Sequence, residues 1–557
     1  MHTYEFQNKS ATNIPIIRST DGNFLIFPSI SAVSGTKGVS FGVTKISASS
    51  LGVVWNSYFF SPTQSPEELP TYQGFAIRDA IVFSEKIYVC GYTFLQDSSN
   101  SSNQHYHIRG FIARFEEDNP IDADWIVEYD SVESFNSLIQ GSEGLIVCGT
   151  GTMDTVHYGD PQQDSFDQYK HGIIMLVQFD SGDLIWGHKL RGTNLHSHFT
   201  SYEQIIRVDN EDVEEYALIG YCGLDGNTQD PIDEYSDILL TTIDIGGTIT
   251  ESTRVEFPIS NTYYNIYGAS IVSHGDEFGI IANWRNEANG TQIAVANLNY
   301  PDFTANWFDT LSLCNFNGCQ EGIQNARRII FNEGYYHIVG YANIDLIFAN
   351  HWIEGFKIVL NPINGSIVTA RVYGDIARYD TILGIIPYNS STMLMTGYTD
   401  YWNPGTTSPW LIKVHNQPIN DCLEHPVYPL SGAIDVNYEA MEGYQFNPGS
   451  SSILIAYQSQ NPIADSICFS GKRDNLEKAQ KSISAILNPN PTEDYVTIIS
   501  DRKMISLEIF DMAGKLLKTT AVNNTEATID VRNYSKGVYF MRIQGENSAV
   551  TRKVTVE

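Results

Sequence analysis

The sequence predicts an all-β chain: a β-propeller over residues 1–415, followed at the C-terminus by a small Ig-like β-sandwich. Three observations predict it. Aromatic residues make up 12% of the chain and glycines number 43, while runs with a helical period are few, a composition suited to strands and tight turns. An apolar run ending in glycine recurs at intervals of roughly 55–70 residues, a repeat length at home in propellers. Beyond Asn488-Pro-Asn-Pro491 the pattern changes to a separate series of short alternating strands.

The repeated run reads as the second strand of each unit: Ile87-Tyr-Val-Cys-Gly91, Leu145-Ile-Val-Cys-Gly149, Ala217-Leu-Ile-Gly220, His337-Ile-Val-Gly340 and Leu394-Met-Thr-Gly397, with Phe278-Gly-Ile-Ile-Ala282 as the deviant copy. A third apolar strand follows each, as in Gly172-Ile-Ile-Met-Leu-Val-Gln-Phe179. Next come a tight turn and a fourth strand near a tryptophan, best seen in Asp180-Ser-Gly-Asp-Leu-Ile-Trp186. Four strands per unit is the propeller pattern, because a lone sheet cannot bury both faces and must stack on neighbours. Seven units are counted, at about 10–60, 74–130, 135–192, 202–258, 264–311, 323–374 and 379–415. The seventh lacks a clear fourth strand, so six or eight blades stay open, and residues 1–7 are the candidate for closing the ring. Trp125, Trp186 and Trp307 recur at multiples of about sixty residues and suit packing between blades.

Residues 416–470 fall outside the pattern and read as a β extension, with 471–482 as a charged linker before the terminal domain at 483–557. Cys314 with Cys319, and Cys422 with Cys468, are disulfide candidates if the protein is exported. Cys90, Cys148 and Cys222 end apolar strands and read as buried thiols. The formal net charge is −32. Residues 483–557 hold nine acidic and nine basic side chains, so the excess lies in residues 1–482. Such a body is not expected to bind nucleic acid or an anionic membrane. No apolar run is long enough for a transmembrane helix, and the opening residues have neither the basic nor the apolar part of a signal peptide. Either a signal has been removed or the start is misassigned.

In the terminal domain, 495–500 and 506–510 alternate as half-buried strands, Asp511-Met-Ala-Gly514-Lys515 is a hairpin loop, and 528–531, 537–543 and 550–556 are further strands. Four motifs, Asn488-Pro-Asn-Pro491, Phe510-Asp-Met-Ala-Gly-Lys515, Gly537-Val-Tyr-Phe-Met-Arg-Ile543 and Arg552-Lys-Val-Thr-Val556, stand in order. They resemble the type A C-terminal sorting domain of the type IX secretion system. The resemblance implies passage across the Gram-negative outer membrane, read by a translocon and a shuttle barrel protein, to the cell surface or the medium. It implies that Asn488, Pro489, Pro491, Asp511, Gly514, Lys515, Gly537, Tyr539, Arg542 and Lys553 belong to the sorting signal.

Residues that carry chemistry are sparse. His105 with His107, and His196 with His198, place two imidazoles on one strand face but lack a third ligand. The loop holding Asp225, Asp230, Asp233 and Asp237 is rich in oxygen donors, the set calcium takes, without the spacing of an EF-hand. Calcium is thus the one cofactor to consider. Nucleophile elbows, dinucleotide loops and zinc-protease motifs are absent from the sequence. Tyr58-Phe59-Phe60, Tyr263-Tyr264 and Tyr401-Trp402 are candidate contact aromatics for an extracellular carbohydrate or protein. Core packing is the competing role for each. The motifs favour a non-enzymatic binding or adhesion module. The alternatives are an extracellular polysaccharide hydrolase or lyase, working through a carboxylate pair, and a structural component of a surface complex. A polar, convergent pocket would favour the enzyme, and a flat aromatic patch the binder.

Overall fold

The computed structural model describes the strands and turns between residues 2 and 466 and between 485 and 556. Undescribed stretches of ten residues or more fall at 61–71, 152–169, 314–323 and 467–484, with shorter ones between strands. Every regular element described is a strand. The chain divides into two units, Met1–Cys468 and Phe469–Glu557.

The first unit is built from seven groups of strands. Groups three to six each hold four consecutive antiparallel strands: Val132–Gln140 to Leu184–Arg191, Phe199–Arg207 to Ile249–Glu256, Tyr264–His274 to Ala305–Ser312, and Gln324–Asn332 to Ile367–Tyr373. The second group, Tyr72–Phe83 to Ala123–Tyr129, has the same order. Its sheet joins that of the first, Ile16–Arg18 to Val53–Phe60, through the parallel pair Val39 and Gly74. The seventh runs from Gly384–Asn389 through Ser408–His415 and takes His2–Glu5 as its fourth strand.

The second and third strands carry the longest buried runs because both of their faces are covered, most completely in the third group. Leu145–Gly151 and His171–Val177 are buried at every position, whereas Ala123–Tyr129, a fourth strand, mixes exposed and buried residues. Covered sheets lose the polar alternation of half-exposed ones. Each hydrophobic cluster is shared by two neighbouring groups. Phe41 and Phe59 of the first meet Phe111 and Phe115 of the second. Tyr88 of the second meets Phe135 of the third, and the clusters continue pairwise through the sixth and seventh. A last cluster joins Leu394 and Leu411 of the seventh to Phe24 and Ile26 of the first.

The sequence set residues 416–470 apart as an extension. In the structure their short strands pair one by one with the outer strands of the groups, in descending order. Glu424–Pro426 lies on the sixth, Leu430–Ala433 on the fifth, Asn437–Ala440 on the fourth and Glu442–Gln445 on the third. Ser450–Ser452 takes the second, Ala456–Gln458 the first, and Ile463–Ser466 pairs with His2–Glu5 of the seventh. Each short strand covers backbone that would otherwise be an open sheet edge.

The second unit has five strands, Ala485–Asn488, Tyr495–Phe510, Leu516–Asp530, Gly537–Gly545 and Ala549–Val556. The sequence reads two strands at 495–500 and 506–510; the structure has one, with a register break between Ile499 and Met504. Its first half pairs with Ala485–Asn488 and its second with Gly537–Gly545, while Leu516–Asp530 spans both. Val496, Ile498, Leu507, Met541, Ile543 and Val554 form its core.

Candidate functional site

The first strands of all seven groups line one cavity of about 240 Å³. A repeated backbone irregularity shapes its wall. In the second, third, fourth and sixth groups a mid-strand bulge leaves a residue of the first strand without a partner in register: Arg78, Asn136, Glu203 and Arg327. Each faces the cavity. A bulge of this kind re-aims a side chain out of the pleat. It also explains the repeated glycines. A Cβ at Gly91 would lie 1.8 Å from Ala76 O, at Gly149 2.0 Å from Ser134 O, at Gly220 1.8 Å from Ser201 O and at Gly340 2.1 Å from Asn325 O. In the fifth group the bulge is longer, skipping Gly268 and Ala269, and Ala282 stands opposite it in place of glycine.

The residue after the bulge ties one group to the next. Ser137 Oγ donates to Asp79 Oδ2 at 2.7 Å. Ser270 Oγ and the Ile271 N–H both donate to Gln204 Oε1, at 2.5 and 2.9 Å, and the Ile329 N–H donates to Ser270 Oγ at 3.2 Å. Asn136 Nδ2 reaches Tyr202 O at 2.8 Å.

Three guanidiniums and two carboxyls face the cavity: Arg78, Arg327, Arg328, Asp79 and Glu203. Both Asp79 oxygens are engaged, Oδ1 by the Ala80 N–H at 2.9 Å and Oδ2 by Ser137. The Arg78 guanidinium lies over the Tyr92 ring, 5.1 Å from its centroid. Burial pushes the Glu203 carboxyl above its ordinary pKa of 4.5, against the opposing charges of Arg78 and Arg327 and a hydrogen bond from Tyr221. Sequence reasoning missed this cavity. The available signal was a polar pair breaking an apolar first strand: Arg78-Asp79, Glu203-Gln204 and Arg327-Arg328.

The residues singled out by sequence are placed elsewhere. Asp237 is buried in a third strand with its carboxylate 3.5 Å from Arg254 Nε. Asp230, Asp233 and the side chain of Asp225 lie outside the described residues, as do Cys314, Cys319, Cys422, Cys468, His196, His198 and the side chains of His105 and His107. Among the described residues no group of three His, Cys, Asp or Glu could hold a metal. Cys90, Cys148 and Cys222 are buried thiols outside any disulfide. Of the loop aromatics, Phe59 is a core residue stacked on Phe41 at 4.9 Å. The side chains of Tyr58, Phe60, Tyr263, Tyr264, Tyr401 and Trp402 are not described.

In the second unit Asp511 closes the hairpin expected there, its Oδ1 accepting the Lys515 N–H at 2.9 Å. Tyr539 Oη donates to Ser535 O at 2.8 Å. Arg542 and Glu508 sit opposite each other on adjacent strands, 3.9 Å apart and partly exposed. Lys553 is exposed opposite Phe540, and Gly537 opposite Val556. Asn488 pairs with Thr497. Pro489, Pro491 and Gly514 lie outside the described residues. The same unit leaves Tyr495, Ile505, Leu516, Leu517 and Phe540 exposed.

Residues 487–557 match the family model described as "Secretion system C-terminal sorting domain". The sorting domain points to the type IX secretion machinery, and the chain is exported to the cell surface or secreted. No helix among the described residues is long and apolar enough to cross a membrane. No curated protein matches the chain. Among solved structures, a protein of unknown function from Dyadobacter fermentans is 10% identical, with 73% of this chain and 96% of that one covered at a TM-score of 0.38. The plexin A4 extracellular region is 7% identical, covering 98% of this chain and 66% of its own at 0.39. PorZ, a surface component of the type IX secretion system of Porphyromonas gingivalis, is 9% identical, covering 98% and 82% at 0.22. These TM-scores are too low to bear on fold or function.

Proposed function

We propose that the chain is a seven-bladed β-propeller delivered to the cell exterior by its sorting domain, where it acts as a non-enzymatic binding or adhesion module. The cyclic order of the shared clusters supports the propeller, since the seventh returns to the first group. The convergence of all seven first strands on one cavity supports it too. On this reading the translocon and a shuttle barrel protein handle residues 487–557, and the blades present the ligand site outside.

The observation that carries the binding role is the state of the two cavity acids. A paired-carboxylate glycosidase needs two working carboxyls roughly 5–10 Å apart. Here Asp79 has both oxygens committed to structure, which leaves Glu203 alone. The second reading, a polysaccharide hydrolase or lyase, is favoured by the polar, convergent character of the cavity and by Glu203, whose raised pKa suits a general acid. Incubating the purified full chain with extracellular glycans decides between them. The binding reading expects retention of the protein with no new reducing or unsaturated ends. Release of such ends, abolished by Glu203→Gln, would establish the enzyme instead.

A further inference from the structure

The cavity gathers three guanidiniums, Arg78, Arg327 and Arg328, in a chain whose net charge is −32. Among the described residues the Arg327 and Arg328 guanidiniums make no side-chain hydrogen bond or close ion pair, Arg327 acting on Glu203 through its charge alone, and both line the cavity. A guanidinium is a rigid fork of donors, and an unpaired fork in a partly desolvated wall is poised for an oxyanion. A neutral amide joins them in the lining. The Gln204 side-chain oxygen is fully engaged by the next group, which leaves its amide hydrogens for the cavity. Tyr221 hydrogen-bonds Glu203 and orients it.

Size and charge narrow the ligand. At about 240 Å³ the cavity has room for a small, sugar-sized molecule. A phosphate dianion would bring its second charge against Glu203, whereas a carboxylate brings one. Glu203 and the Gln204 amide suit hydroxyls, and Arg327 with Arg328 suits the planar carboxylate.

We propose that this cavity binds a small hydroxylated carboxylate of the sugar-acid class, its carboxylate held by Arg327 and Arg328 and its hydroxyls by Glu203 and Gln204. This deepens the binding reading above and rests on it.

The test is calorimetric titration of the full chain with D-galacturonate and D-glucuronate, beside D-galactose, D-glucose and inorganic phosphate. At least one uronate should bind saturably. Its neutral counterpart and phosphate should bind about tenfold more weakly or worse, the scale of one lost charge-assisted hydrogen bond. Arg327→Ala and Arg328→Ala should each weaken uronate binding by a similar factor. Uronate should raise the melting temperature of the wild type more than that of either variant, which also checks that the variants fold. Equal binding of galactose, tighter binding of phosphate, or affinity unchanged in both folded variants would overturn the proposal. Failure of both uronates, with the wild type still retained on other extracellular glycans, would sink the cavity assignment alone. Failure with no retention on any extracellular glycan or protein would sink the binding reading as well.

Discussion

Gly220 and Glu203 are two sides of one irregularity. The first-strand bulge pushes Glu203 out of register and brings Ser201 O to 1.8 Å from where a Gly220 Cβ would sit. That is inside any allowed contact and the obstacle is backbone, so Gly220→Ala should cost about 2–3 kcal/mol, the upper range for overpacking. Gly275→Ala, at a φ of +59° in open space, should cost only about 1 kcal/mol for the left-handed backbone. Urea denaturation followed by tryptophan fluorescence compares them; equal losses would remove the bulge as the reason for the repeated glycine. Glu203 has a pH signature. Its folded pKa is raised, so the fold is favoured below the unfolded value near 4.5 and loses that advantage as pH rises through the folded pKa. Glu203→Gln removes the cost of the desolvated charge that faces Arg78, Arg327 and Tyr221, in a cavity shared with Arg328 and Asp79. The variant should melt above the wild type at pH 7.5, and the gap should close by pH 4. A gap that stays constant with pH would show that Glu203 is not held in this way. The glycines were legible as a repeat because each ends an apolar run. Their cause was not, since it lies in a carbonyl on another strand. Glu203 was missed because the polar pair it forms with Gln204 becomes a pattern only when the first strands are aligned with one another.

At the scale of elements, the tryptophans at the start of the fourth strands join neighbours. Trp125 Nε1 donates to Phe179 O at 3.2 Å, Trp186 to Ile245 O at 3.1 Å and Trp307 to Pro362 O at 2.6 Å. Each also lies under a turn glycine of the next group with positive φ: Gly182, Gly247 and Gly365. The indole thus fills the space a Cβ would take and satisfies a turn carbonyl. Trp186→Ala should cost about 3–5 kcal/mol, as for other large aromatics. Trp186→Phe should recover most of the packing but not the hydrogen bond, worth about 1 kcal/mol. If the two variants melted alike, the contact with Ile245 O would carry no weight. The spacing of tryptophans and the doubly covered strands were readable in sequence, because each follows from the residues of one segment. The strands between Glu424 and Ser466 were not. Each is three or four residues long, too short to show a period, and each is specified by the edge it covers rather than by its own pattern.

For the whole molecule, closure and export are the two properties that matter. The last group draws on three distant segments, His2–Glu5, Ser408–His415 and Ile463–Ser466, so its pairing cannot finish until nearly all of the first unit has been made. The sequence suggested the N-terminal strand as the closing piece because the seventh repeat ran out one strand short. The ordering of the later segment around the groups became visible only in the pairings. Export rests on the second unit, whose motifs were readable because the resemblance attaches to four contiguous stretches in order. The most direct test compares the full-length protein with a chain lacking residues 487–557, both expressed in the native host and followed by cell fractionation with protease accessibility. The full-length body should be protease-accessible at the surface or in the medium, and the truncated body should be folded but protected in the periplasm. A truncated body that still reaches the exterior would contradict the assignment of residues 487–557 as the sorting signal.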